Sequence, residues 1–234
     1  MTLAAAGAIL PHDARVTRSR ASAPRRRFIM RKLFAVLSLA ALLVPACAAA
    51  QDMPAGIRGE LISSMKDAGG KIRDLADAIP DGKYTWKPSK DVRSTGQVFL
   101  HVVQANYMLP AFFGVQPPAS MGKDELMKLD SQTMEPAKIR QMLKESYEWA
   151  AKAIADTPDS DLETQTDFYG MKITRRAMML VLTSHSHEHL GQLIAYARAN
   201  NIVPPWTARE LAEQKKKDEA KKAEQKKAGE KSGK

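Results

Sequence analysis

The sequence predicts an all-α protein, a four-helix bundle with a long loop or short extended segment between helices 3 and 4. Apolar residues recur at helical spacing in four segments between residues 57 and 206, and each segment is bounded by Pro, Gly or Asp. No run of alternating apolar and polar residues builds a convincing strand ladder, and no internal repeat of roughly 20 to 50 residues suggests a solenoid. The length supports a single core: 234 residues, 44% hydrophobic and 26% charged, are ample for one domain and short for two.

The first helix is carried by Ile57, Leu61, Met65, Ile72, Leu75 and Ile79 and stops at Pro80-Asp81-Gly82. Tyr84-Thr85-Trp86-Lys87-Pro88 makes an irregular connector. Ser94 or Thr95 is a suitable N-cap for a second helix, which runs through Val98, Phe99, Val102, Val103 and Tyr107 toward Gly114. After a polar loop with Asp124-Glu125, Pro136 fits a first helical position. Ile139, Met142, Leu143, Tyr147 and Ala150 then define a third helix to about Ala155. Residues Glu163 to Ile173 are β-branched and aromatic, so they form the extended or hairpin-like excursion, with Gly170 at its turn. The fourth helix runs from Thr174 to Asn200, with Met178, Val181, Leu182, His185, His189, Leu193 and Tyr196 on or near one face. Val203-Pro204-Pro205-Trp206 ends it.

The two ends differ from this core. Residues 30–50 read as a secretory signal peptide: Arg31 and Lys32 precede an apolar run from Leu33 to Val44, and Ala48-Ala49-Ala50 offers an A-x-A cleavage site. A mature chain would start near Gln51 and be periplasmic. Met30 is then read as the natural start, and residues 1–29, rich in Arg, Ala and Pro, as an upstream extension. The apolar run is about a dozen residues, short of the roughly 20 that cross a bilayer, so no stable membrane span is expected. Lipidation at Cys47 is disfavoured by Pro45. Residues 208–234 form a Lys/Glu/Ala/Gln tract with almost no apolar side chains, read as a solvated, disordered or partly helical tail. Adhesion of this tail to an acidic surface is the alternative; interspersed acids weigh against it.

The net charge of +10 resides in these ends. Residues 1–50 carry eight basic side chains against Asp13, and residues 208–234 carry ten basic and six acidic ones. Residues 51–207 carry eighteen basic and nineteen acidic ones, so the bundle offers no basic face for nucleic acid. A single cysteine, Cys47, excludes an internal disulfide and a Cys-based zinc site. Nothing resembles a P-loop, a dinucleotide fingerprint or a nucleophile elbow.

After Gln51 the chain holds four histidines: His101, His185, His187 and His189. Positions i and i+4 share a helix face, so His185 and His189 can aim at one point, while His187 is rotated by roughly 200° at about 100° per residue. That face also carries the apolar stripe, where unpaired imidazole nitrogens are costly. His101 sits beside Val98, Val102 and Ala105 on the second helix. Two arrangements fit this spacing equally: three imidazoles on one divalent metal, or core histidines bonded to backbone carbonyls with His189 at the surface.

The segments Ile79-Pro80, Tyr84-Thr85-Trp86-Lys87-Pro88, Arg93-Ser94 and His101-Val102-Val103-Gln104-Ala105-Asn106-Tyr107 resemble the first half of the DinB-like (YfiT-like) superfamily of bacterial metal-binding four-helix bundles. The run from Ser184 to Leu193, then Tyr196-Ala197-Arg198 and Ile202-Val203-Pro204-Pro205, resembles that family's H-x3-H-x-G-Q segment and its trailing Y-x-R and I-V-P-P. The resemblance spans residues 57–206. It implies a DinB-type bundle in which His101, His185 and His189 ligate one divalent metal, zinc or nickel above all, with iron open. It also implies a homodimer as an arrangement to test. Members include thiol S-transferases that use low-molecular-weight thiols, a maleylpyruvate isomerase and proteins described as metal-dependent hydrolases, so membership fixes the site better than the reaction. His187 replaces an aromatic or variable residue, and the signal peptide departs from the mostly cytosolic S-transferases.

The functional expectation is an exported protein that binds one divalent metal and acts on a small molecule by hydrolysis or thiol transfer. The alternatives are a non-catalytic periplasmic stress-response protein with a structural metal, and a surface-binding protein that works through its tail. Glu188 and Gln192 are the weak catalytic candidates, Gln192 also being placed to bond a ligand imidazole. Gly191 would let a backbone or ligand approach the helix. Asn106, Tyr107 and Arg198 could line the same cavity, although Tyr107, Trp86, Trp149 and Trp206 read better as packing residues and the methionines as core filler.

Overall fold

The computed structural model describes residues 54–232; the signal peptide, the upstream extension and Cys47 lie outside the described residues. Four long helices make the bundle: α1 (Ile57–Ala78), α2 (Thr95–Met108), α4 (Pro136–Asp156) and α5 (Arg175–Ala199). A short α3 (Lys123–Met127) lies between α2 and α4, a hairpin of β1 (Gln165–Phe168) and β2 (Met171–Thr174) between α4 and α5, and α6 (Pro205–Ser232) comes last.

Local chemistry sets the boundaries. Ser94 caps α2 through a reciprocal pair: its hydroxyl accepts from Gln97 N–H at 3.3 Å, and Gln97 Oε1 accepts from Ser94 N–H at 2.9 Å. The apolar pattern of α2 continues toward Gly114, but Pro110 has no N–H to donate, and the chain tightens into a 3-10 turn over Leu109–Phe113. Pro136 opens α4 as expected, and Thr174 caps α5 by accepting from Ala177 N–H at 3.1 Å. The hairpin turns at Tyr169 and Gly170, both with positive φ (51° and 86°), the geometry whose twist suits a two-residue antiparallel connection.

Each of α1 and α2 packs against both α4 and α5. Helices adjacent in sequence therefore stand on one diagonal of the bundle, and the connector from Ile79 to Ser94 has to cross one of its ends. The core is filled by Met65, Ile72 and Leu75 of α1, Phe99 and Val103 of α2, Leu143 and Ile154 of α4, and Met178, Leu182 and Leu193 of α5, all nearly inaccessible. Gly69 is required where α1 meets α4: a Cβ there would stand 2.6 Å from the Tyr147 ring. Gly191, by contrast, faces open space, so the close approach expected of it is not made.

The C-terminal tract forms one continuous helix because Pro205 fits a first turn and Lys, Glu, Ala and Gln favour helix. Arg209 of α6 reaches Asp74 of α1 at 3.5 Å. Residues 208–225 are exposed throughout. No helix among the described residues is long and apolar enough to cross a membrane.

Candidate metal centre

His101 projects from the middle of α2, and His185 and His189 from successive turns of α5, two helices that pack directly. His185 Nε2 lies 3.1 Å from His101 Nε2 and 3.2 Å from His189 Nε2. One ring nitrogen from each residue lies within 4.8 Å of the others. Two imidazole nitrogens bound tetrahedrally at about 2.0–2.1 Å from one zinc stand about 3.3 Å apart. The two separations made by His185 fall close to that value, and the His101 and His189 nitrogens lie within 4.8 Å of each other.

The far sides of the rings decide which atoms point inward. His101 Nδ1 lies 3.1 Å from Asp130 Oδ2, an acceptor, so this nitrogen carries the proton and Nε2 presents its lone pair to the cluster. His189 Nδ1 lies 2.8 Å from Gln192 Oε1, and Gln192 Nε2 in turn donates to the Tyr196 hydroxyl at 3.1 Å, an orientation that again makes Nδ1 the protonated atom. The hydrogen-bond network thus assigns the same tautomer to both residues. His185 Nδ1 is buried without a hydrogen-bond partner. With two lone pairs aimed inward, the cluster lacks the protons to bond all three nitrogens to one another. A cation at the common point would satisfy them together, and three imidazoles are a donor set that could hold a metal ion.

The electrostatics favour the neutral form that ligation requires. Burial pushes the His185 pKa down to about 3, with further contributions from His189, His101 and Arg93. Burial also lowers that of His101, joined by Arg93 and His189 and opposed by the Asp130 carboxylate. Asp130 in turn accepts from Arg93 Nη2 at 2.7 Å and Nε at 3.1 Å, so its charge is balanced on both sides. His101 keeps 20% of its side chain exposed, which leaves the cluster reachable from solvent.

The other sequence candidates divide. Gln192 meets the His189 imidazole, whereas Glu188 is exposed and outside the cluster. His187 also lies outside it; its ring is exposed and pairs with Ser64 at 2.9 Å. Asn106 is fully buried and donates to Ser146 at 3.1 Å, and Arg198 is exposed. Tyr107 packs beside Trp149, and the Trp86 ring meets Tyr196 edge-on at 5.3 Å between centroids. Sequence reasoning missed Asp130 and the part played by Arg93. Both lie outside the four long helices, Asp130 in a 3-10 turn (Leu129–Ser131) far from its histidine in sequence, so no periodicity marks them.

A DinB-like protein from Bacillus cereus is similar to this chain at 18% identity, over 62% of this chain and 93% of that one, with a TM-score of 0.53. A DinB-like protein from Bacillus subtilis is 18% identical over 61% of this chain and 92% of that one, with a TM-score of 0.48. A conserved protein from Enterococcus faecalis is 11% identical over 59% and 94%, with a TM-score of 0.49. The first of these likenesses supports the fold alone. No curated protein matches the chain. The family is shown by its own model, which matches residues 65–193, more than half of the chain and all three clustered histidines: the protein belongs to the DinB superfamily.

Proposed function

We propose that the protein binds one divalent metal ion, zinc or nickel in first place with iron(II) open, through Nε2 of His101, His185 and His189. We further propose that it is exported and acts on a small molecule by hydrolysis or thiol transfer. The observation that carries the metal reading is the inward lone-pair geometry: His101 and His189 are held by acceptors on their outer nitrogens while their inner nitrogens converge. A divalent ion held by three neutral imidazoles keeps coordination positions for other ligands and acts as a Lewis acid toward water or a thiol. The chain's own groups do the rest: Asp130 and Gln192 hold the ligand protons on Nδ1, and the part-exposed edge of His101 leaves an entry.

The test is metal content by inductively coupled plasma mass spectrometry of the chain purified at neutral pH without a histidine tag. About one equivalent of a divalent metal, lost in His101→Ala, is expected. No metal in either protein after reconstitution with zinc, nickel and iron(II) would overturn the reading.

One observation favours a second reading, a structural metal without turnover. Among the described residues the cluster contains no carboxylate beyond the three histidines, and Asp130 is committed behind His101. In that case metal removal lowers the melting temperature sharply, and a screen of ester, amide and thiol substrates finds nothing that the loaded protein converts and the stripped protein does not.

A further inference from the structure

Two chains of hydrogen bonds run outward from different ligands and meet on one residue. From His101 the path passes to Asp130 Oδ2 and then to the Arg93 guanidinium, which donates from Nε and Nη2 to that same oxygen. From His189 the path passes to Gln192 Oε1, from Gln192 Nε2 to the Tyr196 hydroxyl, and from that hydroxyl to the Arg93 carbonyl at 3.2 Å. Every link has a consistent donor and acceptor: Tyr196 O–H donates to the carbonyl and accepts from the amide, and Asp130 accepts from both His101 and Arg93.

We propose that Arg93 is a positioning residue that clamps His101 and His189 as one unit, its side chain fixing the first ligand and its carbonyl the second. This rests on the metal reading above. An imidazole turns broadly about its χ2 angle unless something holds its outer nitrogen, so a partner on Nδ1 decides whether Nε2 stays on target. Here the partners belong to different helices and turns, and Arg93 touches both paths. Its backbone is itself anchored. Arg93 precedes the Ser94 cap of α2, and the amides of Thr95 and Gly96 bond back across the connector, Thr95 N–H to Trp86 O at 2.9 Å and Gly96 N–H to Tyr84 O at 2.8 Å. Asp130 is steadied through its neighbour, where Gln97 Nε2 donates to Ser131 O at 3.3 Å. The connector that crosses the end of the bundle therefore latches the ligand pair. His185 stands outside the latch and takes its place from the α5 helix it shares with His189.

The experiment titrates the full chain with cobalt(II), reading both affinity and the visible d–d spectrum, for Arg93→Ala, Arg93→Lys, Asp130→Asn, Tyr196→Phe and the Asp130→Asn/Tyr196→Phe double variant. Arg93→Ala is expected to weaken cobalt binding by about tenfold or more and to alter the spectrum, with Arg93→Lys recovering part of the loss. Asp130→Asn and Tyr196→Phe, each cutting one path, should combine to less than the product of their separate losses, and this coupling should vanish when Arg93 is alanine. Circular dichroism melting identifies any variant that fails to fold, and Tyr196→Phe, which removes only a hydroxyl, keeps the test open if Arg93→Ala does. Affinity within threefold of wild type and an unchanged spectrum in Arg93→Ala, or fully independent losses along the two paths, would overturn the proposal while leaving the metal reading intact. If the wild type takes up no cobalt, the metal reading fails instead. The latch is then read in the metal-free protein from long-range proton–nitrogen spectra of the histidines: Arg93→Ala, which removes the guanidinium and keeps the carbonyl, should disturb the Nδ1–H signal of His101, and Tyr196→Phe, which cuts the bond to that carbonyl, should disturb that of His189; unchanged signals in both variants would overturn it.

Discussion

Two buried polar regions sit in the same bundle and are built on opposite terms. At the histidine cluster, the outer nitrogens of His101 and His189 have acceptors and the inner nitrogens converge. In the second region, a seam between α2 and α4, Asn106 donates to Ser146, yet Asn106 Oδ1 has no partner. Nearby, the Tyr147 hydroxyl lies close to the side chains of Asn106 and Ser186 without reaching hydrogen-bond geometry with either. Both regions hold unsatisfied atoms. They differ in what surrounds those atoms: three imidazoles offer ring nitrogens within 4.8 Å of one another, two of them with acceptors fixing their outer nitrogens, whereas the seam holds an amide and two hydroxyls with no such set of ring nitrogens. The bonds behind His101 and His189 fix the direction of their lone pairs, which is what the metal reading of this cluster rests on.

The largest expected effect separates the two regions outright. His101→Ala, His185→Ala and His189→Ala should each abolish stoichiometric metal binding, and His187→Ala, whose ring pairs with Ser64 away from the cluster, should bind as wild type by calorimetry. Equal metal content in all four variants would erase the distinction drawn between the regions. Next in size, Asp130→Asn should weaken metal binding by about 10- to 100-fold while leaving thermal stability nearly unchanged. Asn106→Ala should do the reverse. Losing its bond to Ser146 and opening a small cavity should destabilise the protein by about 1–3 kcal/mol in urea unfolding, with metal affinity within about twofold of wild type.

These pairs also show what the sequence could disclose. Helices α1, α4 and α5 are legible because their apolar stripes and their boundary residues, Pro80, Pro136 and the Thr157-Pro158 pair, lie within the same segments. The excursion around Gly170 is legible because a turn with two positive φ values favours glycine. The end of α2 falls short of Gly114 because apolar periodicity passes through Pro110 while hydrogen bonding cannot. In the site, the i, i+4 spacing of His185 and His189 announces a shared face. Asp130 and Arg93 reach His101 only through tertiary packing of a turn and a connector, and no local pattern encodes that approach. The seam is illegible for a related reason: proximity to His101 in sequence suggests a cavity residue at Asn106, yet its side chain turns toward α4.

A smaller effect arises from the burial of His185. Its pKa falls from the ordinary 6.5 to about 3 in the fold, so the unfolded chain takes up a proton below about pH 6.5 that the native protein refuses until about pH 3. Stability of the metal-free protein should therefore decline across that window as pH falls, and His185→Gln should make the decline shallower in melting curves taken between about pH 7 and pH 4. An identical slope would mean that the ring is solvated in the native state and that the cluster is less enclosed than its geometry implies.

The smallest effect bears most directly on the seam. The Tyr147 hydroxyl is desolvated, its pKa raised by burial, and the Ser186 and Asn106 side chains beside it offset that only in part, neither reaching full hydrogen-bond geometry. Its ring, however, fills the space that Gly69 leaves open between α1 and α4. Tyr147→Phe keeps the ring and removes the unpaired group, so the change in stability should lie within about 1 kcal/mol of zero and lean toward stabilisation. Chemical denaturation measures it. A loss of about 2 kcal/mol or more would show that the hydroxyl is bonded in solution, through an ordered water or a small shift of Ser186. The seam would then be a satisfied network like the one behind His189, and the contrast between the two regions would narrow to the three ring nitrogens gathered at the histidine cluster.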